Sequence, residues 1–424
     1  MQAKKFAEVS ARKKSPKWPI LIGREDSLYP REGDIRSEFA RDYNRILHST
    51  AYRRLKHKTQ VFFATKNDHI CTRIEHVNHV AAVSQTIANE LGLNVELVNA
   101  IAIGHDLGHA PFGHEGEKVL AGIADDKIGA TFWHERNGLR FVDRLETLPG
   151  PDGLAHNLRL TYATRDGIVS HCGEVDEKAL FPREEEIDLK DINQPSEYPP
   201  YTWEGCVVKV ADKVAFLGRD LEDARQLGLI DLGSTEVGRL VEIASEATGR
   251  VLDETSINTT VLMHHFILNL CRTSSPDLGL RFSDEFLQLM RAMKDFSDPF
   301  IYRHPRLDYF KRYAKLIIES IFECLKGCYK GHDTLAEIKH TGSSSLEKTF
   351  SDWLIKYSDG DLLEKRRRGY GNDVVYGLDS EHDYARSCMQ TRARAGWPRP
   401  SAWPGSWRRA SRSGSPPDGS ASSG

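Results

Sequence analysis

The chain has 424 residues, 39% hydrophobic and 28% charged, with a formal net charge of −3. That balance describes a soluble globular protein with a substantial core, and it argues against general polyanion binding while leaving room for local basic runs. No apolar run reaches the roughly eighteen residues of a membrane span, and the charged start Met1-Gln2-Ala3-Lys4-Lys5 has no apolar region behind it. The seven cysteines are scattered, which suits neither a zinc finger nor a disulfide framework and points to a reducing cytoplasm.

Residues 1–35 are polar and basic, with Pro16, Pro19 and Pro30, and predict an extended arm with little core. From Arg36 the pattern changes. Phe39, Tyr43, Ile46 and Leu47 fit a helix with one apolar face. The arginines around it (Arg36, Arg41, Arg45, Arg53, Arg54) suit either a solvated face or a lining for phosphates, since guanidinium offers a fixed fork of donors. Thr72-Arg73-Ile74-Glu75-His76 then opens a helix to about Leu91, striped by Val80, Val83, Ile87 and Leu91, with His76 in register as either a core histidine or a ligand. After the break Gly92-Leu93-Asn94, a second helix leads into His105-Asp106-Leu107-Gly108-His109-Ala110-Pro111-Phe112-Gly113-His114-Glu115-Gly116-Glu117. Val98 and Ala102 put His105 and His109 on one face of that helix, while Pro111 and Gly113 leave His114 and Glu117 on a turn folding back over it. Helices joined this closely are antiparallel neighbours, so His76 meets His105 and Asp106.

Residues 125–150 read as another helix with Phe132, Leu139, Val142 and Leu145 inward and His134 near its start; 151–173 hold a further one with His171 near its end. The acidic, Pro-rich 182–203 is a loop, either a plain surface one or a lid. In the helix around Val207–Asp220, Val208, Ala211 and Ala215 share a face with Asp212, a carboxylate that needs a salt bridge or a metal. Residues 235–385 continue as amphipathic helices (Val261–Leu270, Phe286–Met293, Ala314–Leu325), with no strand pattern of any length. Lys365-Arg366-Arg367-Arg368 reads as a solvated patch or an anion site. Beyond about Thr391 the Arg, Ser, Gly, Pro and Trp composition predicts a disordered tail.

His76, His105-Asp106 and Asp212 thus arrive from different helices as an H…HD…D set. Two imidazoles and two carboxylates suit a divalent metal such as Mn, Fe, Ni or Mg with open positions for water or phosphate oxygens, not the all-oxygen cage of calcium or the thiolates of structural zinc. His332-Asp333 and His382-Asp383 lack a second histidine at i+4 and read as surface chance.

At this point the sequence resembles the HD-domain phosphohydrolases, and more narrowly the deoxyguanosinetriphosphate triphosphohydrolase family. The runs that carry the likeness are Arg36 to Ser49, Tyr52-Arg53-Arg54-Leu55 with Lys58-Thr59-Gln60-Val61, Thr72 to His76 and Gly104 to Glu117. Phe132-Trp133-His134-Glu135, Gly167 to His171, Ala211 to Ala224 and Tyr302-Arg303-His304-Pro305 extend it over roughly residues 25–385. It implies an all-α HD-domain fold with additional helices and no substantial sheet. Residues 36–390 would form one catalytic domain, with a metal core at about 70–225, a helical C-terminal part at 235–390 and an atypical tail at 391–424.

The activity implied is metal-dependent hydrolysis of a deoxynucleoside triphosphate, dGTP or several dNTPs, to deoxynucleoside and intact triphosphate. Another HD phosphohydrolase reaction, or a non-catalytic nucleotide- or nucleic-acid-binding module, is the alternative. His76, His105, Asp106 and Asp212 would hold the metal. His114 with Glu117 matches the family's catalytic dyad, and His134 with His109 lies near the phosphates. Lys213 and Arg73 would neutralise the triphosphate, Gln60 and Asp220 would contact the sugar 3′-hydroxyl, and Phe216 would pack beneath the deoxyribose. The likeness also implies a homo-oligomer, hexamers included, and allows single-stranded nucleic acid as a partner. Three departures stand out: Lys213 where many bacterial members carry an acid, Glu135-Arg136-Asn137-Gly138 after the histidine, and Val77-Asn78-His79. The family's closing helix near Asp383-Tyr384 is expected to dissolve into the tail, as after a frame change or truncation.

Overall fold

The computed structural model describes residues 4–394 except 30–31, 59, 63–68, 174–178, 342–343 and 360–368. Thr59, the Lys365–Arg368 run and the tail from 395 onward lie outside the described residues. The elements used below are α1 (Trp18–Leu21), α2 (Glu38–His48), α3 (Thr50–Arg54), α4 (Arg73–Leu91), α5 (Val95–Gly104), α6 (Gly113–Ile128), α7 (His134–Arg140), α8 (Tyr162–Ser170) and α9 (Trp203–Gln226). They continue with α10 (Thr235–Thr248), α11 (Thr259–Thr273), α12 (Asp284–Ser297), α13 (Asp308–Lys326), α14 (Thr334–Thr341), α15 (Ser345–Leu354) and α16 (Glu381–Arg394). The fold is helical, as the sequence implies. Among the described residues the only sheet is a hairpin, β1 (Thr147–Pro149) paired antiparallel with β2 (Ala155–Asn157), too short for an alternating pattern to register. No helix among the described residues is long and apolar enough to cross a membrane.

The centre is α5, packed against α2, α4, α8 and α9. Its residues Leu97, Val98 and Ala100 to Gly104 are all buried, so its apolar surface is far wider than a single stripe. α4 starts where Thr72 N and Oγ1 both donate to Glu75 Oε2 at 2.7 Å, and it stops at Gly92, which takes the left-handed φ of 89°. Asn94 then caps α5 by accepting from the amides of Glu96 and Leu97. The three-residue break makes α4 and α5 neighbours, and α9 lies against both.

Three expectations need correction. The N-terminal segment is not an arm without core: Phe6 is fully buried, edge-on to Trp203 at 4.9 Å. Glu204 Oε1 ties the segment down by accepting from Ser10 Oγ, Ala11 N and Asn94 N at 2.9–3.0 Å. Composition hid this because one aromatic anchor is enough; truncating such a side chain costs about 3–5 kcal/mol. At the other end α16 forms as a helix, with Tyr384 fully buried and its hydroxyl donating to Leu325 O at 2.6 Å. And the expected helix over 125–150 is two elements, because α6 runs on to Ile128 and α7 begins only at His134, continuing into a π-helical turn, Phe141–Leu145.

Candidate metal centre and cleft

His76 lies on the first turn of α4, and its Nε2 is 2.9 Å from Asp212 Oδ1 on α9. His105 is the residue at which α5 ends. Its Nδ1 lies 2.7 Å from Ala102 O, the carbonyl that a continuing helix would have given to Asp106. The helix therefore does not carry His109, contrary to the spacing argument; His109 follows a turn, with its amide donating to Asp106 O at 3.2 Å. Gly108 permits that turn, since a Cβ there would sit 2.0 Å from His134 O and 2.1 Å from Gly138 N. Phe112 (φ 66°) and Gly113 (φ 60°) then reverse the chain, so His114 and Glu117 stand at the start of α6, inside the helix rather than on the expected turn.

The ligating atoms of His76, His105 and Asp212 lie within 4.8 Å of one another. His105 Nε2 is buried without a hydrogen-bond partner, 3.7 Å from both Asp212 Oδ1 and Asp106 Oδ1. A buried lone pair left bare costs about 1–3 kcal/mol, and a cation at the focus of these imidazole and carboxylate donors removes that cost. The donor set therefore fits a divalent metal. Asp106 differs from Asp212: its Oδ2 accepts from Arg73 Nη1 at 2.7 Å, and only Oδ1 faces the histidines. Burial works against both carboxylates, yet Arg73 and His109 hold Asp106 well below the carboxylate range, and the His76 hydrogen bond with the charge of His105 lowers Asp212. Burial likewise opposes a charge on His76, but Asp212 and Asp106 outweigh it and raise its pKa.

A second cluster adjoins the first. Glu117 Oε2 is 3.3 Å from Nδ1 of His114, and Oε1 accepts from the His134 amide (2.7 Å) and lies 3.0 Å from His134 Nδ1. His109 and His134 stack at 3.9 Å. Burial disfavours the imidazolium of His134, but the charges of Glu135 and Glu117 raise it to about 9; burial and the neighbouring Arg73 push His109 far down instead. His114 is the exposed member, with 66% of its side chain accessible.

Both clusters face one cleft of about 490 Å³. It contains every expected substrate residue: Gln60, Arg73, His109, Lys213, Phe216 and Asp220. Asp220 Oδ2 accepts from Tyr302 Oη at 2.6 Å, while Asp220 Oδ1 and Gln60 Oε1 are buried without partners. Burial raises the Asp220 carboxyl to about 7. Arg73 is only 1% exposed and is spent on Asp106, so it fixes a carboxylate as well as facing the cleft.

Sequence reasoning passed over several residues here. Lys118, Lys294 and Lys311 line the cleft together with Arg303. They come from α6, α12, the turn after it and α13, and no spacing along the chain announces that convergence. Lys58 is buried and donates to His109 O at 2.6 Å. Desolvation lowers its pKa to about 7. The available signal was its place in Lys58-Thr59-Gln60-Val61, one of the runs that carry the family likeness. Conversely, the arginines of α2 and α3 do not line this cleft: Arg45 is bound to the carbonyls of Asn157 and Leu158, Arg54 to Glu146, and Arg41 to Tyr29 O. No residue of 182–203 lines it either; that loop is held by Arg183 against Asp166. A larger groove of about 680 Å³ between α10 and α12 has no histidine in its lining.

Residues 73–217 match the HD domain family. Among curated proteins, the chain is similar to a deoxyguanosinetriphosphate triphosphohydrolase-like protein of Thiobacillus denitrificans, 33% identical over 80% of this chain and 93% of the relative. Namesakes from Leptospira interrogans (33%; 77% and 88% covered) and Desulfatibacillum aliphaticivorans (34%; 68% and 73%) are similar as well.

Proposed function

The chain belongs to the deoxyguanosinetriphosphate triphosphohydrolase-like family, and from that premise we propose that it hydrolyses a deoxynucleoside triphosphate to the deoxynucleoside and inorganic triphosphate. The observation that carries this reading is the meeting, in one cleft, of a metal-ligand set with a histidine–carboxylate pair and a cationic rim. His76, His105, Asp106 and Asp212 would hold a divalent cation, Mn, Mg, Fe or Ni, whose chemistry is to polarise a phosphoryl oxygen.

The chain's own groups supply the rest. Glu117 accepts from Nδ1 of His114, which leaves Nε2 to exchange a proton with a group bound in the cleft. His134, kept charged by two carboxylates, faces the phosphates beside Lys213, Lys294, Arg303 and Lys311. The orphaned Gln60 Oε1 and Asp220 Oδ1 suit a sugar hydroxyl, and Phe216, with Lys213 Nζ 5.4 Å from its ring centre, suits the sugar face. Assembly into a homo-oligomer and contact with single-stranded nucleic acid belong to the same proposal.

Product analysis tests it: purified protein with Mn²⁺ and each of the four dNTPs, resolving triphosphate, diphosphate and phosphate. Deoxynucleoside with intact triphosphate is the expected result and ranks the bases. Free phosphate with a nucleotide product would place the chain in another branch of HD chemistry.

A further inference from the structure

We propose that Gln390, on α16, is a positioning residue for the turn His105–His109, acting through Asn137 on α7. The role rests on His76, His105, Asp106 and Asp212 being the metal set, as proposed above, and not on the identity of the substrate. Asn137 Nδ2 donates to Gly108 O at 2.6 Å, and Gln390 Nε2 donates to Asn137 Oδ1 at 2.9 Å. The relay is out of water, with Asn137 4% and Gln390 8% exposed. Its direction is fixed from the inner end. A carbonyl can only accept, so Gly108 O takes the amide nitrogen of Asn137 and turns the amide oxygen toward Gln390. That oxygen needs a donor, and Gln390 supplies it. Gln390 Oε1 is buried without a partner among the described residues, so the bond to Asn137 is what this amide is spent on.

What the relay reaches is a single peptide unit. Gly108 O and His109 N belong to one rigid plane. The N–H of that plane donates to Asp106 O at 3.2 Å, and its carbonyl is the group that Asn137 holds. Gripping one edge therefore sets the other, and with it the turn that carries Asp106. Side chains cannot orient the plane here, because Gly108 lies directly against α7 and a Cβ on it would be 2.1 Å from Gly138 N. The hydrogen bond from Asn137 takes their place. The rest of α16 is anchored elsewhere: Tyr384 Oη donates to Leu325 O on α13, and His382 Nε2 lies 2.7 Å from Ile128 O at the end of α6. Gln390 carries that anchorage across to α7 and so to the turn.

The test is a calorimetric titration of metal-stripped, full-length protein with Mn²⁺. Gln390→Met keeps the length of the side chain and loses the donor; it is expected to weaken Mn²⁺ binding about tenfold, the scale of a lost outer support to a metal ligand. Gln390→Glu, which sets an acceptor against Asn137 Oδ1, should repeat the loss. Asn137→Ala should weaken binding at least as much, and adding Gln390→Met to it should change nothing further, because Gln390 acts only through Asn137. Tyr384→Phe removes a different buried bond of the same helix and should leave Mn²⁺ affinity at the wild-type value, which separates positioning from mere stability. Unchanged affinity in both Gln390 variants, or the same loss from Gln390→Met with and without Asn137, overturns the role of Gln390 alone. A wild type that binds no Mn²⁺ overturns the metal set and this role with it.

Discussion

The two walls of the cleft are built on opposite terms. On the deep wall His76, His105 and Asp106 are at most 3% exposed, and each carboxylate is already engaged by an imidazole or by Arg73. On the outer wall His114 is mostly exposed, and Lys118, at 72%, is more so. Burial holds the deep groups in place, which suits holding an ion; exposure leaves the outer ones open to ligands, which suits turnover. Glu117, at 14%, stands between the exposed His114 and the more buried His134 and touches both.

The largest expected effect comes from breaking the deep wall. Asp106→Ala leaves Arg73 charged and unpaired at 1% exposure, and should cost about 3–5 kcal/mol together with bound metal and turnover. Urea unfolding with metal analysis checks this, and an unchanged midpoint would mean that Arg73 does not depend on Asp106. His114→Ala should cut turnover about 10²–10⁴-fold while stability moves within about 0.5 kcal/mol and bound metal stays. Equal losses of stability in the two variants would erase the contrast between the walls.

A pH series sharpens the contrast further. His134 is raised from 6.5 to about 9 in the fold, so its stabilising contribution is fully present below about 6.5 and is lost as the pH rises through about 9. Glu117 is depressed, so its contribution is present throughout that window. The stability difference between metal-free wild type and His134→Asn should therefore shrink by up to about 3 kcal/mol between those limits, read from paired urea midpoints, while the opposite slope from Lys58, lowered to about 7, is common to both. The smallest effect belongs to Tyr302→Phe. It removes the 2.6 Å bond to Asp220 and should raise KM by about tenfold, about 1–1.5 kcal/mol, with kcat nearly unchanged. A fall in kcat instead would place Tyr302 in the chemical step.

Much of the deep wall was legible in the sequence because helical periodicity is local. His76 in register with Val80, the short break at Gly92-Leu93-Asn94 and Asp212 among apolar neighbours are all read within one or two turns, and the antiparallel pairing of α4 and α5 follows from the length of the break. The family likeness and the helical class followed from the same runs. Less legible was where helices stop: His105 captures Ala102 O and ends α5 four residues before His109, a side-chain bond that no periodicity reveals.

What the sequence alone determined, then, was the set of chemical groups and the helices that carry them. What only the tertiary structure decided was which groups meet: the convergence of Lys294, Arg303 and Lys311 with Lys213, the pairing of Arg73 with Asp106, the burial of Phe6 and Tyr384, and the stance of His171 beside His105. The physical reason is range. Caps, turns and apolar stripes are set by residues a few positions apart, whereas a shared charge or a shared ligand site depends on packing between elements far apart in the chain, and that packing is fixed only when the whole core closes.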